Sequence, residues 1–215
     1  MNLEQIWQNI ETARQKCGAW ESVRLIAVSK NVDTDTVENL YSQGQIEFGE
    51  NRVQELKRKK EILGELPLKW HFIGSLQSNK INHLLSLRPT LWQSCNSFEL
   101  ALAVDKRANF TLYTLLEINS ADESSKSGIE ISRAVDEYLK IKEECKNLNL
   151  CGVMSIGAYS DDLGEIQKSF EITYKIFESL RPHGAKICSM GMSDDYELAI
   201  KCGSNMVRLG RILYR

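Results

Sequence analysis

The sequence predicts an α/β fold, a single (β/α)8 barrel of the TIM type spanning residues 1–215 and carrying an extra N-terminal helix. Three observations carry this expectation. Helical and strand patterns alternate along nearly the whole chain, the strand-like runs number eight, and no linker or low-complexity stretch divides the 215 residues. An open doubly wound sheet would show the same alternation, but the count of eight and a length near the usual barrel size favour closure.

The elements follow in order. Residues 3–17 read as the extra helix, with Leu3, Ile6, Trp7 and Ile10 along one face. Residues 24–30, Arg24-Leu25-Ile26-Ala27-Val28-Ser29-Lys30, form a buried strand that ends on a lysine. A helix over 33–43 turns Val37 and Leu40 inward and is closed by Gly44. Strand 46–49, helix 51–63, strand 69–74, helix 79–87 and strand 90–94 come next. Ser97 caps a helix over 98–107, with Glu99 in its first turn where the dipole favours it. Strand 111–118 runs into a polar stretch, 119–128, whose one apolar residue is Ala121. Helix 129–145, strand 148–156, helix 162–180, strand 186–190, helix 194–202 and strand 205–210 complete the pattern.

Composition narrows the functional classes. A net charge of −2 gives no pull toward nucleic acid or an anionic membrane, and no apolar run is long enough to cross a bilayer. The basic run Lys57, Arg58, Lys59 and Lys60, flanked by Glu55 and Glu61, reads as a solvated helix face. The N-terminus lacks the apolar core of a secretory signal, so a cytoplasmic monomer is expected. The six cysteines form no Cys-x-x-Cys pair, which points to reduced, mostly buried thiols and no metal. Trp7, Trp20, Trp70 and Trp92 are expected to pack between layers.

A barrel of this kind works at the C-terminal ends of its strands. There the first strand offers Lys30, the second Glu50 and Asn51, the third Gly74, Ser75, Gln77, Asn79 and Lys80, and the fifth Asn119, Asp122, Glu123, Lys126 and Gly128. The last two offer Ser189-Met190-Gly191-Met192-Ser193 before a helix at Asp194, and Arg208, Gly210 and Arg211. A glycine-bearing turn with Ser193 at a helix N-terminus is suited to an anion, and the last two strands are where barrels hold phosphate; equally, Ser193 can simply cap the helix. Lys30 has two readings as well: a rim lysine paired with Glu50, or an amine crowded enough to shed water and form an imine. An aldehyde-bearing phosphate such as pyridoxal phosphate would satisfy both Lys30 and the anion turn. His71 is either an interior histidine or a ligand contact, whereas His83 and His183 read as surface residues. Asp122 and Glu123 read as loop residues rather than metal ligands.

The ordered motifs Ala27-Val28-Ser29-Lys30, Phe48-Gly49-Glu50-Asn51, Trp70-His71-Phe72-Ile73-Gly74, Leu76-Gln77-Ser78-Asn79-Lys80, Ile118-Asn119 with Glu123 and Lys126-Ser127-Gly128, Gly152-Val153-Met154-Ser155-Ile156, Ser189-Met190-Gly191-Met192-Ser193-Asp194-Asp195 and Val207-Arg208-Leu209-Gly210 resemble those of the pyridoxal phosphate homeostasis proteins. That family is related to the N-terminal barrel of alanine racemase. The resemblance covers nearly the full length and implies Lys30 as the Schiff-base lysine of pyridoxal 5'-phosphate. It implies that Ser193, the Met192 backbone and the Gly210-Arg211 turn hold the phosphate, that Arg208 faces the pyridine nitrogen, and that Asn51, His71 and Ser189 lie near the ring. The chain departs from the family after Gly210, where Arg211-Ile212-Leu213-Tyr214-Arg215 replaces the usual Phe-Gly continuation.

The resemblance implies a non-catalytic carrier or buffer in vitamin B6 homeostasis, with dependent apoenzymes as recipients of the cofactor. The alternative is an amino-acid racemase. Such an enzyme needs a proton carrier on each face of its substrate. Related racemases take one, a tyrosine, from a second domain, and here Gly210 is followed by five residues, while Tyr41, Tyr113, Tyr159 and Tyr196 offer no substitute. A cofactor-free aldolase would share the lysine and the phosphate turn, but the ordered motif set argues against it.

Overall fold

Short apolar runs, each stopped by a polar or glycine-bearing turn, pair side by side into one parallel sheet. In the computed structural model, which describes residues 2–18, 21–123 and 127–214, the strands are β1 (Arg24–Val28), β2 (Glu47–Glu50), β3 (Lys69–Phe72), β4 (Leu91–Cys95), β5 (Leu112–Asn119), β6 (Ile129–Glu130), β7 (Leu148–Ser155), β8 (Ile187–Ser189) and β9 (Met206–Leu209). Their order is β4-β3-β2-β1-β9-β8-β7-β5, and a β4–β5 pairing closes the ring. The two-residue β6 extends the edge of β5, so the barrel proper has eight strands, as the alternation predicts. The helices are α1 (Leu3–Lys16), α2 (Thr34–Ser42), α3 (Val53–Ile62), α4 (Ile81–Ser86), α5 (Phe98–Asp105), α6 (Ala134–Glu144), α7 (Leu163–Leu180) and α8 (Tyr196–Lys201).

Strand alternation sorts the core into two parts. Leu25, Ala27, Phe48, Trp70 and Phe72 join the large cluster between sheet and helices, whereas Ile26, Leu91, Leu115, Cys151, Met154 and Met206 plug the barrel interior. The extra helix α1 buries Leu3, Ile6, Ile10 and Ala13 and lies against α8. Trp7 sits at the edge of that stripe and is 38% exposed, unlike the buried Trp70 and Trp92. Trp20 and Lys126 lie outside the described residues. The Ser97 cap is present, its hydroxyl accepting from the Leu100 N–H at 3.1 Å.

Several boundaries differ from the sequence reading. β1 ends at Val28, which leaves Ser29 and Lys30 in the turn beyond it. Ile129 and Glu130 pair with the end of β5, and a 3-10 turn follows, so α6 starts at Ala134 rather than at Ile129. α8 starts at Tyr196 because Asp195 keeps a non-helical backbone. The basic run is not a solvated face. Lys57 and Arg58 are exposed, but Lys59 follows Val53 and Leu56 at helical spacing on the inward side and is fully buried, and the half-buried Lys60 donates to the Leu87 carbonyl. Among the described residues no helix is long and apolar enough to cross a membrane, and no group of three His, Cys, Asp or Glu is placed to hold a metal ion.

Candidate functional site

The strand ends open into a cavity of about 650 Å³. Six of the eight expected site residues line it: Lys30, Asn51, Met192, Ser193, Arg208 and Gly210. His71 and Ser189 do not; both are wholly buried one layer lower, in the floor. Lys30 is exposed, so the crowding expected around its amine is absent. It occupies the corner of a turn closed by the Val32 N–H on the Ser29 carbonyl at 3.2 Å, with Asn31 at φ 66°. Lys30 is not paired with Glu50, whose carboxylate is taken by Lys59 at 2.6 Å. Beyond the end of β3, Gly74 presses against the Asn51 backbone so closely that a Cβ would lie 2.0 Å from the Asn51 carbonyl oxygen.

Arg208 brings a buried cation to the wall formed by β9, the strand paired with β1. Its Nη1 donates to the Ser189 carbonyl at 2.9 Å and to the Ser189 hydroxyl at 2.7 Å, and its Nη2 donates to the Ser155 carbonyl at 2.8 Å. Three of the five guanidinium N–H groups are thus committed and fix the plane of the group. Burial lowers its pKa to about 10, with nearby Glu117 and Asp195 acting the other way. Glu117 is 4% exposed. One oxygen accepts from Ser127 Oγ at 2.6 Å, the other has no partner, and burial raises its pKa despite that bond and the charge of Arg208.

A hydrogen-bond chain supports this wall from below. The Ser189 hydroxyl already accepts from Arg208, so it donates to Gln93 Oε1 at 2.8 Å. That sets the amide, whose nitrogen lies 3.0 Å from His71 Nδ1 and makes that atom the acceptor. The His71 proton is then on Nε2, which has no partner, and burial lowers the ring's pKa to about 4. His71 is a neutral member of the floor.

The β8 and β9 exits form a hydroxyl-centred turn rather than a helix-capped one. Gly191 takes φ 96°, and a Cβ there would meet Ala199 at 2.6 Å. Ser193 does not cap α8; its hydroxyl accepts from the Gly210 N–H at 3.3 Å and the Ile212 N–H at 3.5 Å. The Met192 N–H is bound by Asp195 Oδ1 at 2.6 Å, and Arg211 pairs with Asp194. Despite its departure from the family pattern, the segment after Gly210 forms a 3-10 turn (Arg211–Leu213) that returns an N–H to Ser193. Sequence reasoning missed Glu117, Ser94, Ser127 and Asn31 as lining residues. For Glu117 a signal existed, a lone carboxylate inside Leu115-Leu116-Glu117-Ile118. Ser127 stands in the Lys126-Ser127-Gly128 motif, and Ser94 and Asn31 carry no signal.

The chain matches the alanine racemase N-terminal domain over residues 1–215. It is 48% identical over 209 residues to the pyridoxal phosphate homeostasis protein of Helicobacter pylori (strain ATCC 700392 / 26695), covering 96% of this chain and 93% of the relative. This chain belongs to that family. The structure of PipY of Synechococcus elongatus PCC7942 with PLP bound superposes with a TM-score of 0.83 at 29% identity, covering 98% of this chain and all of the other. The alanine racemase of Clostridium difficile 630 shares the fold, with a TM-score of 0.76 at 17% identity over 60% of its length.

Proposed function

We propose that this protein binds pyridoxal 5'-phosphate at the barrel mouth and serves vitamin B6 homeostasis as a non-catalytic carrier or buffer. The observation that carries the reading is the placement of Lys30 and the Ser193–Gly210 turn on one cavity. Its volume of about 650 Å³ suits a small cofactor. The bound group would supply an aldehyde, with which Lys30 Nζ condenses as a reversible imine and releases water. The Ser193 hydroxyl, whose oxygen accepts from the Gly210 and Ile212 N–H groups and whose hydrogen is left to give, and Arg211 are the donors available to the phosphate. Arg208 keeps two N–H groups uncommitted and Glu117 an unpartnered oxygen on the same cavity, so its lining can both donate to and accept from the ring. A guanidinium does not give up its proton, so a ring nitrogen facing it stays unprotonated and withdraws electrons weakly, which favours holding the cofactor over turning it over. The described cavity lining holds no histidine, tyrosine or cysteine to serve as a second proton carrier for a racemase. The same reading has the protein act as a cytoplasmic monomer that passes the cofactor to dependent apoenzymes.

Absorption spectroscopy tests this. The protein should turn yellow with the cofactor, and Lys30→Ala should abolish the colour while leaving the fold intact. Lys30-dependent loss of optical rotation from L-alanine would establish the racemase instead, and a colourless protein would return the site to an aldolase.

A further inference from the structure

The turn that presents Lys30 is held from beneath by a buried ion pair. Lys59 of α3 and Glu50 of β2 are both 0% exposed, and Nζ lies 2.6 Å from Glu50 Oε1. The same Nζ donates to the Ser29 carbonyl at 2.5 Å, and the Ser29 hydroxyl donates to Glu50 Oε1 at 2.6 Å. The Ser29 N–H donates to the Gly49 carbonyl at 3.0 Å. Every polar group of Ser29 is therefore tied down. Its carbonyl is also the acceptor that closes the turn with Lys30 at the corner, and Asn31 completes that turn in a left-handed conformation that few residues other than glycine tolerate.

Stability alone is a poor account of the pair. Burying two charges costs desolvation that their attraction barely offsets, and apolar side chains of similar volume hold a helix to a barrel at least as well. Oε2 of Glu50 lacks a partner, so the pair is not even fully satisfied. An apolar pair could not bond both the carbonyl and the hydroxyl of Ser29. Lys30 itself is exposed, with a long flexible stem, so its backbone turn governs where the amine starts.

We infer that Glu50 and Lys59 are positioning residues for Lys30: they lock Ser29, and through it the turn, so that the amine enters the cavity facing the Ser193–Gly210 turn. This rests on Lys30 being the amine that bonds the cofactor.

The test compares the full-length protein with a double variant, Glu50→Leu with Lys59→Met, which removes both charges together. Three quantities are read: backbone 15N order parameters of the ligand-free protein, borohydride-trapped pyridoxal phosphate on Lys30, and binding of pyridoxine 5'-phosphate, which lacks the aldehyde. In the double variant the order parameters of Lys30 and Asn31 should fall from about 0.85 to below about 0.6 while those of β5 and β7 hold. Trapping should drop about tenfold. Pyridoxine 5'-phosphate affinity should change less than about twofold, since its donors belong to the β8 and β9 exits, where Ser193 bonds Gly210 and Ile212 rather than Ser29, Glu50 or Lys59. A turn as ordered as in the parent, or an analogue affinity that falls as far as trapping does, overturns the inference. If the parent traps nothing on Lys30 and the turn still loosens in the variant, the cofactor reading fails and the clamp on the turn stands. Should the double variant not fold, Ser29→Ala keeps the ion pair and removes one bond; it should lower trapping about threefold, and unchanged trapping overturns the inference.

Discussion

Glu50 and Glu117 are both buried near the barrel mouth, yet their surroundings differ in kind. Glu50 accepts from an adjacent ammonium and a hydroxyl within 2.6 Å, out of reach of ligand. Glu117 accepts from one neutral hydroxyl, keeps an oxygen unpartnered, and lines the cavity. The first wall spends its bonding capacity on the backbone that carries Lys30. The second, Glu117 with Arg208, keeps some in hand for a ligand. Each carboxylate keeps one oxygen without a partner, so what separates them is neither burial nor spare bonding but position: Glu117 lines the cavity and Glu50 does not.

The sharpest break of this contrast is a single substitution in the first wall. Lys59→Met leaves Glu50 buried without its counter-charge and should cost about 3–5 kcal/mol in urea unfolding. The double variant should recover most of that loss, and a single variant no less stable than the double would mean that the pair is not a unit.

The floor beneath the second wall should respond to acid. The neutral His71 has its pKa lowered from 6.5 to about 4 by burial, so between those values the unfolded chain takes up a proton that the folded one refuses. Stability contributed by this residue is full above pH 6.5 and declines as pH falls, by about 3 kcal/mol on reaching pH 4. Thermal melts of His71→Gln should lose that slope, and an equal slope in both proteins would assign the acid response elsewhere.

Ser193→Ala should weaken pyridoxine 5'-phosphate binding about tenfold, the worth of one charge-assisted hydrogen bond, and lower the melting temperature by a few degrees, since the Gly210 and Ile212 N–H groups lose their acceptor. Calorimetry that finds equal affinity would move the phosphate off this turn. The smallest effect is expected at Glu117. Its raised pKa means that the folded state holds a proton the unfolded state has lost, so stability falls as pH rises through that window. Glu117→Gln should remove that fall and be no less stable than the parent at neutral pH.

The barrel was legible because each strand is buried on both faces and reads as an apolar run with a distinct stop, as in Leu25-Ile26-Ala27-Val28. The place of Lys30 at the barrel mouth was legible because it follows directly on the end of such a run. The role of Lys59 was not, since a basic run looks solvated until the 53-56-59 spacing is projected onto a helix whose inner side meets Glu50. Ser193 misled for a related reason. Its residue type fits a cap, but Asp195 delays the helix and frees the hydroxyl for the β9 exit. His71 and Ser189 lie on the expected strands, yet strand period alone does not tell floor from rim.

The most direct measurement is peptide mapping after borohydride reduction of the protein mixed with equimolar pyridoxal 5'-phosphate. The account predicts one modified peptide, carrying the reduced cofactor on Lys30. Modification centred on any other lysine, or none at all, would contradict it.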